Sequence, residues 1–192
     1  MTWPEILGFI TGAICVWLLV KQNIWTWPTG IANNLIYIAI FYRSKIYGDM
    51  ALQFFYIAVS LYGWWHWLHP DEVHRGTVKV TRIGARPAMV VAAVAFAMTT
   101  VLALALHRFT DTNVPWWDAS TTALSLLAMF MQSRKWIENW WLWIAADVLY
   151  ISLYTYKHLY ITTLLYAVFM VMCIIGLRQW QRDLAQAERA AA

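Results

Sequence analysis

The chain has 192 residues, of which 61% are hydrophobic and only 12% charged, and its mean hydropathy is positive. A soluble domain carries about a quarter of charged residues, so that class is excluded and a membrane protein is implied. The net charge of +4 does not signal nucleic acid, because the 14 Lys and Arg stand in ones and twos between apolar segments and build no basic face.

A helix crosses the hydrocarbon of a bilayer with about 20 apolar residues, and about 17 suffice. Seven stretches meet or approach that length and predict spans at 5–20, 27–43, 49–67, 88–106, 117–133, 139–156 and 160–177. They lack the alternation of barrel strands, so the predicted class is an all-α membrane protein. The first span follows Met1-Thr2-Trp3-Pro4-Glu5, which has no basic leader, and reads as a retained helix and not a cleaved signal. The second opens on Trp27-Pro28-Thr29-Gly30, where Pro in a first turn costs little. Most connections are three to six residues long. The exceptions, 68–87 with Arg75, Lys79, Arg82 and Arg86, and 107–116, flank the fourth span. The polar, Ala-rich end from Gln181 to Ala192 predicts a frayed helix in water.

Much of the second half repeats the first at a constant offset of 113. Trp3 pairs with Trp116, Trp27 with Trp140, Tyr37 with Tyr150, Gly63 with Gly176 and Trp67 with Trp180, and the polar Lys21 and Asn34 pair with Arg134 and Asp147. The fourth span has no counterpart. The expected architecture is therefore three helices, one connecting helix and three more, with the odd helix restoring a parallel orientation of the copies. Its parts are a first repeat over 1–67, a basic loop and connecting helix over 68–116, a second repeat over 117–180 and a polar tail over 181–192. A duplicated bundle of this kind places its ligand between the copies, near the bilayer midplane.

Charge bias sets the direction. One side carries Lys21, Arg75, Lys79, Arg82, Arg86, Arg134, Lys135, Arg178, Arg182 and Arg189; the other has Arg43, Lys45, Arg108 and Lys157. The richer side is expected in the cytoplasm, with the N-terminus outside and the C-terminus inside. The pairs Arg43/Lys45, Arg134/Lys135 and Lys157/His158 read as lipid-headgroup anchors. Cys15 and Cys173 fall inside apolar segments and read as two buried thiols, and the five histidines show no metal-ligand spacing.

Asp147 is the one carboxylate near the middle of a predicted span. An acid there costs about 2.5–3.5 kcal/mol on insertion scales, so it is expected to face the bundle interior with a partner, either a polar neighbour or the substrate itself. Trp140, Trp143, Asp147, Tyr150 and Tyr154 share a helical stripe, and aromatic plates around an acid suit a flat cationic ring, with cation–π attraction of about 2 kcal/mol when desolvated. Trp140 and Trp141 near the span end also fit an interfacial belt. A second stripe holds Asp49, Gln53, Tyr56, Ser60 and Trp64; the Gln53 amide can read a carboxamide or a sugar hydroxyl, and can equally join helices. Asn33 and Asn34 stand beside and at the counterpart of Asp147, with one of them expected to point inward.

The motifs Trp27-Pro28-x-Gly30-x-x-Asn33, Asp49-x-x-x-Gln53, Tyr62-Gly63-Trp64-Trp65-x-Trp67, Trp117-Asp118-x-Ser120, Ser133-Arg134-Lys135-x-x-Glu138-Asn139-Trp140-x-x-Trp143 and Leu164-Leu165-Tyr166 make the chain resemble the PnuC family of bacterial vitamin transporters over nearly its whole length. The resemblance implies a SWEET-like fold of three, one and three helices, a homotrimer, and residence in the bacterial inner membrane. It also implies facilitated diffusion of nicotinamide riboside, or of thiamine or riboflavin in some branches, with a cytoplasmic vitamin kinase trapping the product downstream and no cofactor. Carried over by motif, Gln53, Asn33, Trp64, Trp140 and Trp143 would line the substrate path. Ser60 and Asp147 depart from the pattern of the nicotinamide riboside members, which show Asn there, so the vitamin stays open. Rival classes fare worse: a retinal sensor needs a lysine in the last span, which 160–177 lacks, and an enzyme needs a nucleophile beside a base, for which the span centres offer one acid and hydroxyls.

Overall fold

The computed structural model describes residues 3–43, 47–69, 79–110, 112–158 and 160–191. Over them the chain forms seven α-helices: α1 (Trp3–Val20), α2 (Thr26–Arg43), α3 (Tyr47–Leu68), α4 (Ala85–Phe109), α5 (Pro115–Ser133), α6 (Asn139–Tyr156) and α7 (Tyr160–Ala191). Lys45, His74 and Arg75 lie outside the described residues, as does the side chain of Asp49. Pro115 takes the first position of α5, where a missing N–H is harmless, and Asp118 in the same turn accepts a 2.9 Å bond from the Thr112 hydroxyl.

The helices α1, α2, α3, α5, α6 and α7 contact one another in that order, and α7 returns to α1, so six helices close a circuit of neighbours. The helix α4 lies outside it and, among the described residues, packs on no helix but α5. At 25 residues α4 is about 37 Å long, enough to cross a bilayer. Its Met89, Val90, Phe96, Val101 and Leu104 are exposed, as are Leu7, Ile10 and Ile14 on α1 and Leu164, Val168 and Val171 on α7. An apolar exterior of this extent marks a surface that water does not wet.

Several packing details recur at the 113-residue offset. Trp27 meets Trp67 edge to face at 5.3 Å and 89°, and Trp140 meets Trp180 at 5.4 Å and 86°. Each first-named indole covers a glycine, Gly63 and Gly176, where any Cβ would overlap the ring. The Trp67 indole N–H donates to the Ser133 carbonyl at 3.1 Å, and that of Trp180 to the Leu19 carbonyl at 3.3 Å. In each case the third helix of one triplet is tied to the end of the first helix of the other.

The helices α1 and α5 end alike. Gln22 (φ 52°) and Lys135 (φ 51°) adopt the left-handed conformation just past each helix, with N–H groups turned back to Leu19 and Gln132 at 2.8 and 3.0 Å, while the next N–H groups reach Leu18 and Met131 at 2.9 and 3.1 Å. This is the Schellman arrangement, which usually recruits glycine. Lys135, expected with Arg134 at the lipid headgroups, is instead 5% exposed, because this turn directs its side chain inward across the Trp67 ring at 4.2 Å.

The end of α7 also differs from a helix frayed in water. The helix runs on to Ala191, Leu184 is buried, and Asp183 accepts bonds from Gln22 and Gln179. The chain from 79 to 84 crosses the α5–α6 turn. Thr81 N–H donates to the Lys135 carbonyl at 3.1 Å, Ile137 N–H to the Thr81 carbonyl at 3.0 Å, and Ile83 N–H to Glu138 Oε2 at 2.9 Å.

Candidate functional site

Halfway along α6, Asp147 is buried against α7, where the Cys173 thiol donates to its Oδ2 at 3.5 Å. A carboxyl in such a place is costly, and one weak thiol bond does not fill its acceptor capacity of about four lone-pair sites. The positions 113 residues earlier are Asn34 on α2 and Ser60 on α3, both also buried. The Ser60 hydroxyl has no hydrogen-bond partner among the described residues. Gly30 brings α2 close to it: a Cβ there would stand 3.3 Å from Cys15 Sγ and 4.0 Å from Ser60 Oγ.

One turn further along α6, tyrosines gather. Tyr150 and Tyr154 stack on Tyr166 of α7 at 4.4 and 5.3 Å, with interplanar angles of 26° and 21°. Phe169 meets Tyr166 edge-on at 6.0 Å and reaches Phe9 of α1 at 6.1 Å. Tyr37 of α2 packs its ring over Gly8, and both it and Asp147 lie within electrostatic reach of the Tyr166 hydroxyl. Because α2 and α7 are not neighbours in the circuit, this cluster occupies its interior. Stacked π faces beside a carboxyl offer a flat cation both surface and counter-charge.

The structure thus brings Asp147, Tyr150 and Tyr154 together and sets the two tryptophans of their stripe apart from them. Trp140 stands seven residues below Asp147, about 10 Å along the helix, and is fully buried against Trp180 and Gly176, which removes it from any lipid interface. Trp141 beside it is exposed. Trp143 donates its indole N–H to Gln132 of α5 at 3.2 Å. Asn33 spends its amide on α1, donating to the Gly8 carbonyl at 2.6 Å and to Thr11 at 2.8 Å, while Asn34 is the more buried of the pair. Gln53 is half-buried, and Trp64 is half-buried against the tryptophan-rich core.

Reading the sequence did not single out Tyr166, Phe169 or Tyr37 as site residues, nor Cys173 as the partner of Asp147. The repeat held the signal for two of them, since Tyr37 is the counterpart of Tyr150 and Cys173 that of Ser60. Tyr166 and Phe169 are set by the packing of α7 and by nothing periodic.

Comparison with known proteins agrees with this architecture. Residues 2–182 match a family described as nicotinamide mononucleotide transporter. The chain is similar to the nicotinamide riboside transporter PnuC of Escherichia coli K12, 25% identical over 204 residues that cover 94% of this chain and 85% of the relative. It is similar, too, to the riboflavin/roseoflavin transporter RibM of Streptomyces davaonensis, 27% identical over 181 residues covering 93% and 84%. A crystal structure of the vitamin B3 transporter PnuC superimposes with a TM-score of 0.76 at 24% identity, covering 96% of this chain and 83% of that one, and so shares its fold.

Proposed function

Because this chain belongs to the nicotinamide mononucleotide transporter family, we propose that it carries nicotinamide riboside across the bacterial inner membrane by facilitated diffusion. The observation that carries the substrate is the buried Asp147 carboxyl beside the stacked Tyr150, Tyr154 and Tyr166. The pyridinium ring of the riboside is flat and positively charged, so it satisfies both features at once. Thiamine, through its thiazolium, is the alternative of like charge.

In this reading the two triplets form parallel halves that rock about the interior cluster. The N-terminus lies outside, and the face bearing the α1–α2 and α5–α6 turns and the end of α7 lies in the cytoplasm, as the distribution of Lys and Arg supports. Transport is downhill, and a cytoplasmic kinase that phosphorylates the vitamin makes uptake net. The working assembly is a homotrimer, to be checked by light scattering of the detergent-solubilised protein.

Riboflavin is the second reading, favoured by the 27% identity to RibM over most of both chains. Its ring system is flat but uncharged, so it would use the tyrosines and leave Asp147 without a counter-charge. Calorimetric titration of the purified protein with nicotinamide riboside, thiamine and riboflavin separates the three. Binding of riboflavin alone would overturn the cationic reading.

A further inference from the structure

At the end of the bundle opposite the tyrosine cluster, three side chains from both triplets form a relay. Lys135 Nζ donates to Gln22 Oε1 at 3.0 Å, and Gln22 Nε2 donates to Asp183 Oδ2 at 2.6 Å. One amide therefore joins a buried ammonium to a carboxylate, with one bond across the triplet boundary on each side of it. The Gln179 amide holds the other Asp183 oxygen at 3.0 Å.

Gln22 and Lys135 are counterparts in the repeat, so each is bonded to its own equivalent. Both hold left-handed backbone that glycine would adopt without the penalty of about 1–2 kcal/mol borne by other residues. The side chains that glycine lacks are the ones that meet. Strain kept at two equivalent positions points to a role for the contact they make.

We propose that the Lys135–Gln22–Asp183 relay is the latch of the gate at this end, holding the triplets together while the interior site is closed to this face and breaking when it opens. The proposal rests on the alternating-access reading above. Nearly everything around the relay also crosses the boundary: Trp67 to Ser133, Trp180 to Leu19, and Lys135 over Trp67. The tryptophan pairs supply the apolar seal, whereas the relay is the charged and hydratable part, which water can replace as the triplets part. The 79–84 segment fixes the backbone of Lys135 and so sets where the latch engages.

The test reads access to the interior without using a vitamin. Cys15→Ser leaves Cys173, beside Asp147, as the sole thiol of the full chain. Membrane vesicles of both orientations are treated with a membrane-impermeant maleimide, and the labelling rate of Cys173 is measured. Breaking a charge-assisted bond across the boundary, as in Lys135→Met, is expected to raise labelling from the latch face about tenfold and leave the other face unchanged or slower. Lys135→Arg should stay near the parent rate. Asp183→Leu, which removes the acceptor for Gln22, provides a second break at the far end of the relay should Lys135→Met fail to elute as a folded protein. Unchanged labelling in the folded variants overturns the latch. A parent that takes up no nicotinamide riboside, yet shows the labelling change, overturns the substrate and keeps the latch.

Discussion

The Trp140 indole occupies the space in front of Gly176, so that a Cβ at that glycine would overlap the Cη2, Cζ2 and Cζ3 atoms at the ring edge. Gly63 stands to Trp27 in the same way. Gly176→Ala therefore has to displace a fully buried indole that is also held edge-on by Trp180. Overpacking of this kind costs about 1–3 kcal/mol. The expected outcome is a thermal midpoint lowered by several degrees in detergent, with a similar drop for Gly63→Ala; an unchanged midpoint in both would show that the indoles are free to shift.

Replacing Asp147 by Asn keeps the size and hydrogen-bonding reach of the side chain while removing its charge. Binding of nicotinamide riboside is expected to weaken about tenfold or more, equivalent to about 1.4 kcal/mol, and riboflavin binding, if present, to stay as it was. Calorimetry on the purified variant checks both. Equal riboside affinity in the two proteins would mean that the carboxyl is not a counter-charge.

Tyr166 stacks on both Tyr150 and Tyr154. Tyr166→Leu removes the shared plate, whereas Tyr166→Phe keeps it. Aromatic pairs contribute about 0.5–1.5 kcal/mol beyond their buried area. The leucine variant should lose about fivefold in affinity for any of the three flat vitamins, with the phenylalanine variant close to the parent.

Burial pulls the Lys135 ammonium down from its ordinary 10.5 to about 8, and the nearby Asp183 only partly opposes that fall. Glu138, three residues on, is engaged with the Ile83 N–H. With the folded value depressed, the unfolded chain holds more protons between about pH 8 and 10.5, so the contribution of this group to stability rises with pH through that window and is flat below it. The gain is on the order of 2 kcal/mol by pH 9.5 and roughly 3 kcal/mol at the upper end of the window. Thermal midpoints at pH 7.5 and 9.5 should show this increment in the parent and lose it in Lys135→Met. An identical pH response in the two proteins would place the titrating group elsewhere.

The helices were legible because their apolar runs are long, as a bilayer would require of a crossing helix, and the seven predicted segments match the observed helices to within a few residues except at the end of α7. There the polar tail hid Leu184 and Asp183, whose packing depends on a partner turn far away in sequence. The α1 and α5 ends were harder still. Nothing in Lys21-Gln22-Asn23 or Arg134-Lys135-Trp136 announces left-handed backbone, since the usual glycine is missing. In the candidate site, helical periodicity set Asp147, Tyr150 and Tyr154 on one stripe but could not tell that Trp140 and Trp143 of the same stripe pack lower in the bundle, on Trp180 and Gln132. That division depends on depth along the helix, and a stripe records only angle.

The segment that crosses the α5–α6 turn also ties α4 to one side of the bundle. From Val80 onward the chain is bonded to α5 and α6 through Thr81 and Ile83, and α4 follows on α5. In the rocking reading proposed above, the helices would sort into two unequal bodies, α1–α3 against α4–α7, which meet where α3 packs on α5 and α1 on α7. Any swing between them has a lighter arm and a broader raft. The raft carries Lys135, Asp183, Asp147 and Tyr166, so the acid and most of the aromatic plates would travel as one piece, while the lighter arm brings Gln22, Tyr37 and Ser60 to meet them.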